Sequence, residues 1–338
     1  MKKTPNFKSM FEEIEKERGI KEADLIAALK DALLTAAKKR IEHTENLEVD
    51  IAEDGGVKII DKETGKEVTP SDFGRIAAQT AKQVIVQRLR EAEKEMSFNE
   101  YHDKVGELVI GTVQRQEYSG YLVNLGKLET FLANQDVIPG ETLRPKEKVK
   151  VLISEVKRTG KGPMVIISRT HPDFIRKLFE SEIPEFSQGI LEIKGIAREP
   201  GRRTKVAVIS HDPDVGAVGT CIGPMGSRIQ TITREVKSER IDVIEWSDKP
   251  DTFIANALAP AKSVKVKLIP GESACKVIIP EKELSLAIGK DGQNVRLAAK
   301  LTGYKIDIVS EEKLAEEKAA KAAEKEAAEA AEKKGTEE

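Results

Sequence analysis

Two stretches of the chain follow one pattern, VGTCIGPMGSRIQTITREV at residues 218–236 and LSLAIGKDGQNVRLAAKLTG at residues 284–303. In both, an apolar run ends in a glycine pair of the form GxxG and leads into a helical pattern. A β-branched run with one aspartate follows each pair, at 241–244 after 18 residues and at 306–309 after 17. This repetition of elements in one order predicts a duplicated helix–GxxG–helix–strand module.

The residue types of the two loops suit contact with a phosphate. Glycine supplies the backbone dihedrals and the clearance that a short turn between two helices needs, and the second helix presents free N–H groups and a positive dipole end. The KH module uses such a loop to clamp about four nucleotides of a single strand. The alternative interpretation is a pair of helix-to-helix turns without a ligand. The predicted RNA-binding residues are those of the two loops and the arginines that follow them: Gly223, Pro224, Met225, Gly226, Arg228, Gly289, Lys290, Asp291, Gly292 and Arg296.

Residues 171–310 carry the order helix–strand–strand–helix–helix–strand twice, which is the bacterial form of the KH fold. We predict a first KH domain at 171–248 and a second at 249–310. Residues 190–310 hold 19 Lys and Arg against 15 Asp and Glu, whereas residues 311–338 hold 6 Lys against 10 Glu. A mildly basic repeat region therefore precedes an acidic tail, and its small basic excess predicts moderate, salt-sensitive affinity for nucleic acid.

Residues 105–170 consist of short alternating segments between Gly or Pro turns, which predict a five-stranded β-barrel of the OB type. Barrels of this type bind single strands by stacking bases on aromatic side chains over a basic groove. The predicted platforms are Tyr118, Tyr121 and Phe131, although a place in the barrel core suits Phe131 equally well. The basic residues nearby in sequence are Arg115, Lys127 and Arg158.

Residues 1–104 predict a small α+β domain. An amphipathic helix at 21–42 is followed by two short strands around a turn at 53–56, and then by a helix of six or seven turns. Ser71 and Asp72 are the predicted caps of this long helix. The whole chain is thus predicted to be a multidomain α+β protein, with a solvated and partly helical Ala/Glu/Lys tail at 311–338.

The sequence predicts no catalytic, metal or cofactor site. The segment 271–276, GESACK, lacks the second glycine of a phosphate-binding P-loop, and the four histidines lie scattered without metal-ligand spacing. Cys221 and Cys275 fall in apolar stretches, so we expect both to be buried and reduced. Neither a signal peptide nor a membrane span is apparent, which predicts a soluble, cytoplasmic protein. We expect it to be a monomer.

With these domains in this order, the chain resembles the NusA family of bacterial transcription elongation factors. The most specific stretches are RIAAQTAKQVIVQRLREAE at 75–93, LEIKGIAREPGRRTKVAV at 191–208 and IGKDGQNVRLAAKLTG at 288–303. The barrel corresponds to that of ribosomal protein S-one. The resemblance implies that residues 1–104 dock on the RNA polymerase core near its RNA exit, while the barrel and the KH pair hold nascent single-stranded RNA. Candidate polymerase contacts on the exposed face of the long helix are Arg75, Gln79, Lys82 and Gln83.

The family resemblance further implies roles in pausing, intrinsic termination and antitermination, with other antitermination factors and ribosomal proteins as further partners. Two alternatives remain open at the level of sequence. KH and S-one-type domains also occur together in polynucleotide phosphorylase, although there the KH domain precedes the barrel and two large phosphorolytic domains come first. A ribosome-associated KH factor is the other alternative.

Overall fold

The computed structural model describes residues 11, 13–16, 20–41, 46–52, 56–160, 162–237 and 239–314. The predicted Ala/Glu/Lys tail therefore lies, from residue 315 onwards, outside the described residues. The chain divides into two compact units, one of Met1–Asp103 with Val156–Met164 and one of Lys104–Glu155 with Val165–Glu338. In the described part of the chain, every helix is too short or too polar to cross a membrane.

In the described part of the first unit, two long helices pack with a β-hairpin. These elements are α1 (Glu22–Lys38), β1 (Leu47–Ile51), β2 (Val57–Asp61) and α2 (Phe73–His102). Both helices bury one side chain per turn at i, i+4 spacing, as an amphipathic helix does. These residues are Leu25, Leu29, Leu33 and Ala37 on α1 and Phe73, Ala77, Ala81 and Ile85 on α2. β1 and β2 pair antiparallel, which confirms the predicted hairpin; residues 53–55 of its predicted turn lie outside the described residues.

The long helix α2 differs from its prediction at both ends. It runs for 30 residues and ends at His102, beyond the predicted six or seven turns. Asp72 occupies the N-cap position, but its side chain makes no cap hydrogen bond. The carboxylate instead accepts a hydrogen bond from Arg40 at 2.8 Å. The predicted side-chain cap is therefore wrong, and the carboxylate pairs instead with a cation that lies just after the end of α1.

The segment Val156–Met164 contacts the second half of α2. Arg158 donates two hydrogen bonds of 2.8 Å to the carboxylate of Glu95, and its guanidinium lies 4.2 Å from the centre of the Phe98 ring. Lys94 donates to the carbonyl oxygen of Gly160 at 2.9 Å. Arg158 is thus engaged with the helix of the first unit, which the sequence did not indicate.

Five strands, most of whose residues lie in the second unit, form the predicted barrel-like sheet. They are β3 (Leu108–Glu117), β4 (Gly120–Asn124), β5 (Glu129–Ala133), β6 (Lys148–Thr159) and β7 (Gly162–Ser168), in the spatial order β5-β4-β3-β6-β7. The hydroxyl of Thr130 on β5 donates to the carbonyl oxygen of Val165 on β7. This hydrogen bond joins the two edge strands, so that the sheet nearly closes on itself.

Two further domains have the predicted KH order of elements. The first comprises α3 (Pro172–Glu182), a short α4 (Pro184–Ser187), β8 (Leu191–Glu199), β9 (Arg203–Ser210), α5 (Ala217–Ile222), α6 (Ser227–Glu235) and β10 (Arg240–Glu245). The second comprises α7 (Pro250–Ala257), β11 (Lys265–Leu268), β12 (Ala274–Ile279), α8 (Glu281–Ile288), α9 (Gln293–Thr302) and β13 (Lys305–Ser310). In each sheet the middle strand, β9 or β12, has one antiparallel and one parallel neighbour.

Buried ion pairs join the barrel to the first KH domain. Arg169, which is 1% exposed, donates to both carboxylate oxygens of the buried Glu141, at 2.9 and 2.8 Å. The same guanidinium donates to the side chain of Glu235 at the end of α6, at 3.1 Å. Arg198 on β8 forms a second buried pair, with Glu239 of the same KH domain at 2.9 Å, and donates to the carbonyl oxygen of Arg169 at 2.8 Å. Because charged groups are retained in a core only when they are paired, these contacts fix how β8, α6 and the barrel meet.

Candidate nucleic-acid interface

The glycines of the two GxxG loops adopt the same backbone conformation. Gly223 and Gly289, which end α5 and α8, both have φ 73° and ψ 171°. Gly226 has φ 75° and ψ 17°, and Gly292 has φ 69° and ψ 15°. These positive φ values suit glycine, since a Cβ is disfavoured there. The duplicated motif of the sequence is therefore a duplicated structure.

The first glycine of each loop is also required by close packing. A Cβ added at Gly223 would lie 2.9 Å from the side chain of Arg228, and one at Gly289 would lie 2.7 Å from the Cβ of Asn294. The last glycines have more room: a Cβ at Gly292 would have no neighbour within 4 Å. The outer end of the second loop therefore has space for a ligand, whereas its inner end is filled by the helix that follows.

Arg228 and Asn294 occupy equivalent positions, five residues after the first glycine, and both hold their loop in place. Arg228 donates to the carbonyl oxygen of Thr220 on α5 and to the carboxylate of Glu185, both at 3.0 Å. Asn294 donates to three carbonyl oxygens, among them that of Leu286 on α8 at 3.2 Å. The guanidinium of Arg228 is thus neutralised by Glu185, so we assign this predicted RNA-binding residue to supporting the loop.

The outer positions of the two loops differ in chemistry. In the first loop, Pro224 carries no charge and the side chain of Met225 is 99% exposed. In the second loop, the corresponding residues are Lys290 and Asp291, both exposed. Met225 and Asp291 also have positive φ, 49° and 53°. The first loop therefore offers a polarisable apolar side chain to a ligand, whereas the second offers an ammonium group.

Arg296 on α9 lies in an ion pair with the first KH domain. Its Nε donates to Glu199 at the end of β8 at 2.7 Å, and Gln293 donates to the other oxygen of the same carboxylate at 2.8 Å. The hydrogen bond from Arg296 holds the pKa of Glu199 below its usual value. Glu199 thus stays ionised and fastens the start of α9 to the first domain, a role that the sequence did not indicate.

The barrel presents an aromatic surface next to the turn between β3 and β4. Tyr118 is fully exposed and Phe131 is 37% exposed. Together with Ser119, Ala133, Asn134 and Gln135, they line an open cleft of about 730 Å³. The side chain of Asn134 donates to the carbonyl oxygen of Tyr118 at 3.1 Å and so supports the turn. Two exposed rings beside amide groups form a surface on which bases can stack.

The other predicted barrel residues do not join this surface. The prediction of Tyr121 as a stacking platform is wrong: the ring is 5% exposed, because Tyr121 and Val123 point into the barrel on alternate positions of β4. Lys127 is exposed but lies in the turn between β4 and β5, at the other end of β4 from Tyr118. Arg115 forms an ion pair with Glu117 at 2.9 Å.

The predicted polymerase contacts lie on the exposed face of α2. Gln79, Lys82 and Gln83 line a shallow groove of about 740 Å³ that continues along the helix past Val86. Arg75 is exposed one turn earlier and does not line the groove. Val86, 39% exposed, places an apolar side chain within a polar and basic face. Such a mixed surface suits a protein partner.

The remaining candidate functional groups are metal ligands and thiols. Among them, no group of three or more His, Cys, Asp and Glu side chains could hold a metal ion. Cys221 and Cys275 are buried free thiols, as the sequence predicted. Burial raises the pKa of the Cys221 thiol to about 12, so that this group stays protonated and unreactive at neutral pH.

Three family models match the chain over the domains just described. The model of the NusA N-terminal domain matches residues 6–64 and 57–95. Those of the NusA-like first and second KH domains match residues 169–246 and 250–316, which contain one GxxG loop each. The chain belongs to the NusA family. Membership confirms the resemblance that the sequence motifs indicated.

Relatives in the NusA family are similar over most of their length. The transcription termination/antitermination protein NusA of Halalkalibacterium halodurans is 42% identical, over 90% of this chain and 87% of the relative. The protein of the same name from Bacillus subtilis is 44% identical, over 88% of this chain and 89% of the relative. The protein of the same name from Mycobacterium tuberculosis is 41% identical, over 87% of this chain and 90% of the relative.

Proposed function

We propose that this chain is a non-catalytic RNA-binding transcription factor. It binds the RNA polymerase core and the nascent single-stranded RNA, and thereby modulates elongation, pausing, intrinsic termination and antitermination. Its family membership supports this proposal, because relatives at 41–44% identity are named transcription termination/antitermination proteins. Since transcription is the process concerned, the factor acts in the cytoplasm, and we propose that it does so as a monomer.

The observation that carries RNA binding is the pair of GxxG loops with matching dihedrals. KH domains clamp a strand of about four nucleotides against such a loop. The open space at Gly292 and the exposed ammonium of Lys290 leave the second loop accessible to a phosphate. The aromatic surface of Tyr118 and Phe131 supplies a second kind of contact, by stacking on bases. Phosphate contacts and stacking together suit a factor that holds single-stranded RNA.

The proposed polymerase contact is the groove on α2 that contains Gln79, Lys82 and Gln83. Its support is the mixed polar and apolar character of an exposed helix face, together with the match of residues 6–95 to the NusA N-terminal domain. We propose residues 1–104 for polymerase binding, 105–170 for the barrel, and 171–248 and 249–310 for the two KH domains. Other antitermination factors and ribosomal proteins are proposed as additional partners.

A pull-down with purified bacterial RNA polymerase core tests the proposal. The immobilised full chain is expected to retain the core, and Lys82→Glu is expected to weaken retention. Lys249→Glu, the same change at an exposed lysine between the KH domains, serves as the matched control. In single-round transcription of a template with an intrinsic terminator, the added protein is expected to alter the fraction of terminated RNA.

Two results would contradict the proposal in different ways. If the core is not retained while the chain binds single-stranded RNA, the protein is an RNA-binding factor of another process. If the chain alone shortens labelled RNA in a phosphate-dependent manner, it is a processing enzyme.

A further inference from the structure

A cleft opens between the second GxxG loop and the first KH domain. It measures about 360 Å³ and is lined by Arg202, Lys290, Asp291, Gln293 and Arg296. Four of these residues belong to the second loop and the start of α9. Arg202 belongs instead to the turn between β8 and β9 of the first domain. The wall of the cleft opposite the second loop is therefore contributed by the other KH domain.

The charges in the cleft are not balanced. Glu199 neutralises Arg296, as shown by their hydrogen bond of 2.7 Å. Among the described residues, the side chains of Arg202 and Lys290 have no ion-pair partner, and both are exposed. Asp291 is the remaining anion of the lining. Two cations therefore face one carboxylate across an open space large enough for an anionic group.

The turn that carries Arg202 is held at several points, so that this side chain starts from a fixed backbone. The N–H of Arg202 donates to the carbonyl oxygen of Glu199 at 3.0 Å, and its own carbonyl accepts from Arg240 at 3.1 Å. The N–H of Gly201 donates to the buried carboxylate of Glu239 at 2.9 Å. Gly201 has φ 72°, and a Cβ there would lie 3.0 Å from the carbonyl oxygen of Pro139. A cation on a pre-organised turn loses less freedom when it binds.

From this arrangement we propose that Arg202 of the first KH domain completes the phosphate site of the second GxxG loop. A phosphodiester of the strand held by that loop lies in the cleft, between Lys290 and Arg202. The proposal rests on the RNA-binding function proposed above and adds a residue from outside the second domain to its binding surface. Arginine suits this place, because its planar guanidinium can donate two hydrogen bonds to one phosphate.

The first loop carries fewer free charges than the second, so we expect the two loops to contribute unequally to electrostatic binding of the strand. Pro224 and Met225 carry no charge, and Arg228 is committed to Glu185 at 3.0 Å. The first loop thus contacts the strand through its backbone and the exposed Met225, whereas the second loop and Arg202 provide most of the charge. Salt sensitivity is accordingly expected to arise mainly at the second loop.

The test is a titration of a fluorescein-labelled oligoribonucleotide of about twelve nucleotides with the full chain, at several salt concentrations. Arg202→Gln is expected to weaken binding about tenfold, as loss of one charge-assisted hydrogen bond would do. It is also expected to reduce the slope of log affinity against log salt by about 0.7. The control is Arg234→Gln, which removes the same charge at the C-terminal end of α6, from a residue that does not line the cleft. It is expected to leave the affinity and the salt slope nearly unchanged.

Neutral linkages locate the phosphate. A set of oligoribonucleotides, each with one methylphosphonate linkage, is expected to show one position at which wild-type affinity falls and Arg202→Gln affinity does not. If wild type and Arg202→Gln respond alike at every position, or if Arg202→Gln binds like wild type, the role of Arg202 is refuted. If instead wild type itself fails to bind the unmodified strand, RNA binding is refuted, which is a separate failure of the proposed function.

Discussion

The second GxxG loop allows a test in which charge is separated from backbone strain. Gly292 has φ 69°, and a Cβ there meets no atom within 4 Å. Asp and Asn are nearly equal in size and are the side chains that best tolerate this left-handed region. Gly292→Asp and Gly292→Asn should therefore lose the same small free energy of unfolding, about 1 kcal/mol. Any difference between them in RNA binding then reflects one negative charge.

The size of that difference follows from the position of the loop. If a phosphate lies about 5 Å from the new carboxylate, Coulomb repulsion costs about 1 kcal/mol at the dielectric constant of water and about 3 kcal/mol at the value typical of a protein surface. Screening by physiological salt favours the lower end. We expect Gly292→Asp to bind single-stranded RNA about tenfold more weakly than Gly292→Asn, with a salt slope smaller by about 0.7.

Fluorescence anisotropy with a labelled oligoribonucleotide measures the affinities, and urea unfolding measures the stabilities. Equal loss of affinity in the two variants would refute the reasoning, because it would mean that strain and not charge disturbs the loop. Wild-type affinity in both would show that no phosphate lies at Gly292. The same pair of substitutions at Gly226 repeats the test in the first loop, where Gln230 lies 3.4 Å from an added Cβ.

Three further perturbations address stability and the barrel surface. Burial lowers the pKa of Lys205 from 10.5 to about 8, so the folded state binds fewer protons than the unfolded state between these pH values. The resulting cost of about 3 kcal/mol is present below pH 8 and disappears as the pH rises towards 10.5. The urea midpoint of wild type should therefore rise between pH 8 and 10.5 relative to that of Lys205→Met, which lacks the ionisable group. Arg169→Met leaves the buried Glu141 unpaired and should lower the free energy of unfolding by about 3–5 kcal/mol, most of which the additional change Glu141→Met restores. Tyr118→Ala should weaken binding of single-stranded RNA by about 1–3 kcal/mol in the same titration, whereas Tyr118→Phe keeps the stacking ring and should bind like wild type.

The sequence was most informative where a pattern is local. The GxxG pairs, the alternating strands of the barrel and the amphipathic α1 each depend on neighbours within a few residues, and their elements were predicted correctly. The error at Tyr121 could have been avoided, since Tyr121 and Val123 share one face of β4 and period-two alternation places both inside. Tyr118 differs because it precedes the strand, in the turn.

Contacts between distant segments could not be read from the pattern. Nothing in the sequence indicates that Asp72 pairs with Arg40 rather than capping its own helix, since the two residues meet only when α1 and α2 pack. Arg228 and Asn294 occupy equivalent positions and both hold their GxxG loop in place. Because one is a cation and the other a neutral amide, comparison of the two repeats does not indicate this common role. The same limit applies to Arg202, which reaches the second loop across 88 residues of chain, from 202 to 290.

The contacts between the KH domains determine how strongly a strand that reaches both loops can bind. The two domains are fastened by Glu199, which accepts from Gln293 and Arg296, and by Lys205, which donates to the carbonyl oxygen of Ala259 at 3.1 Å. With this joint in place, a strand bound at one loop meets the other as an intramolecular partner, so its affinity exceeds that of either domain without new contacts. Because Glu199 also neutralises Arg296 beside the cleft, Arg202 and Lys290 are the cations of the cleft that have no ion-pair partner among the described residues. Glu199 therefore both fixes the arrangement of the two KH domains and determines which cations of the cleft remain available to a phosphate.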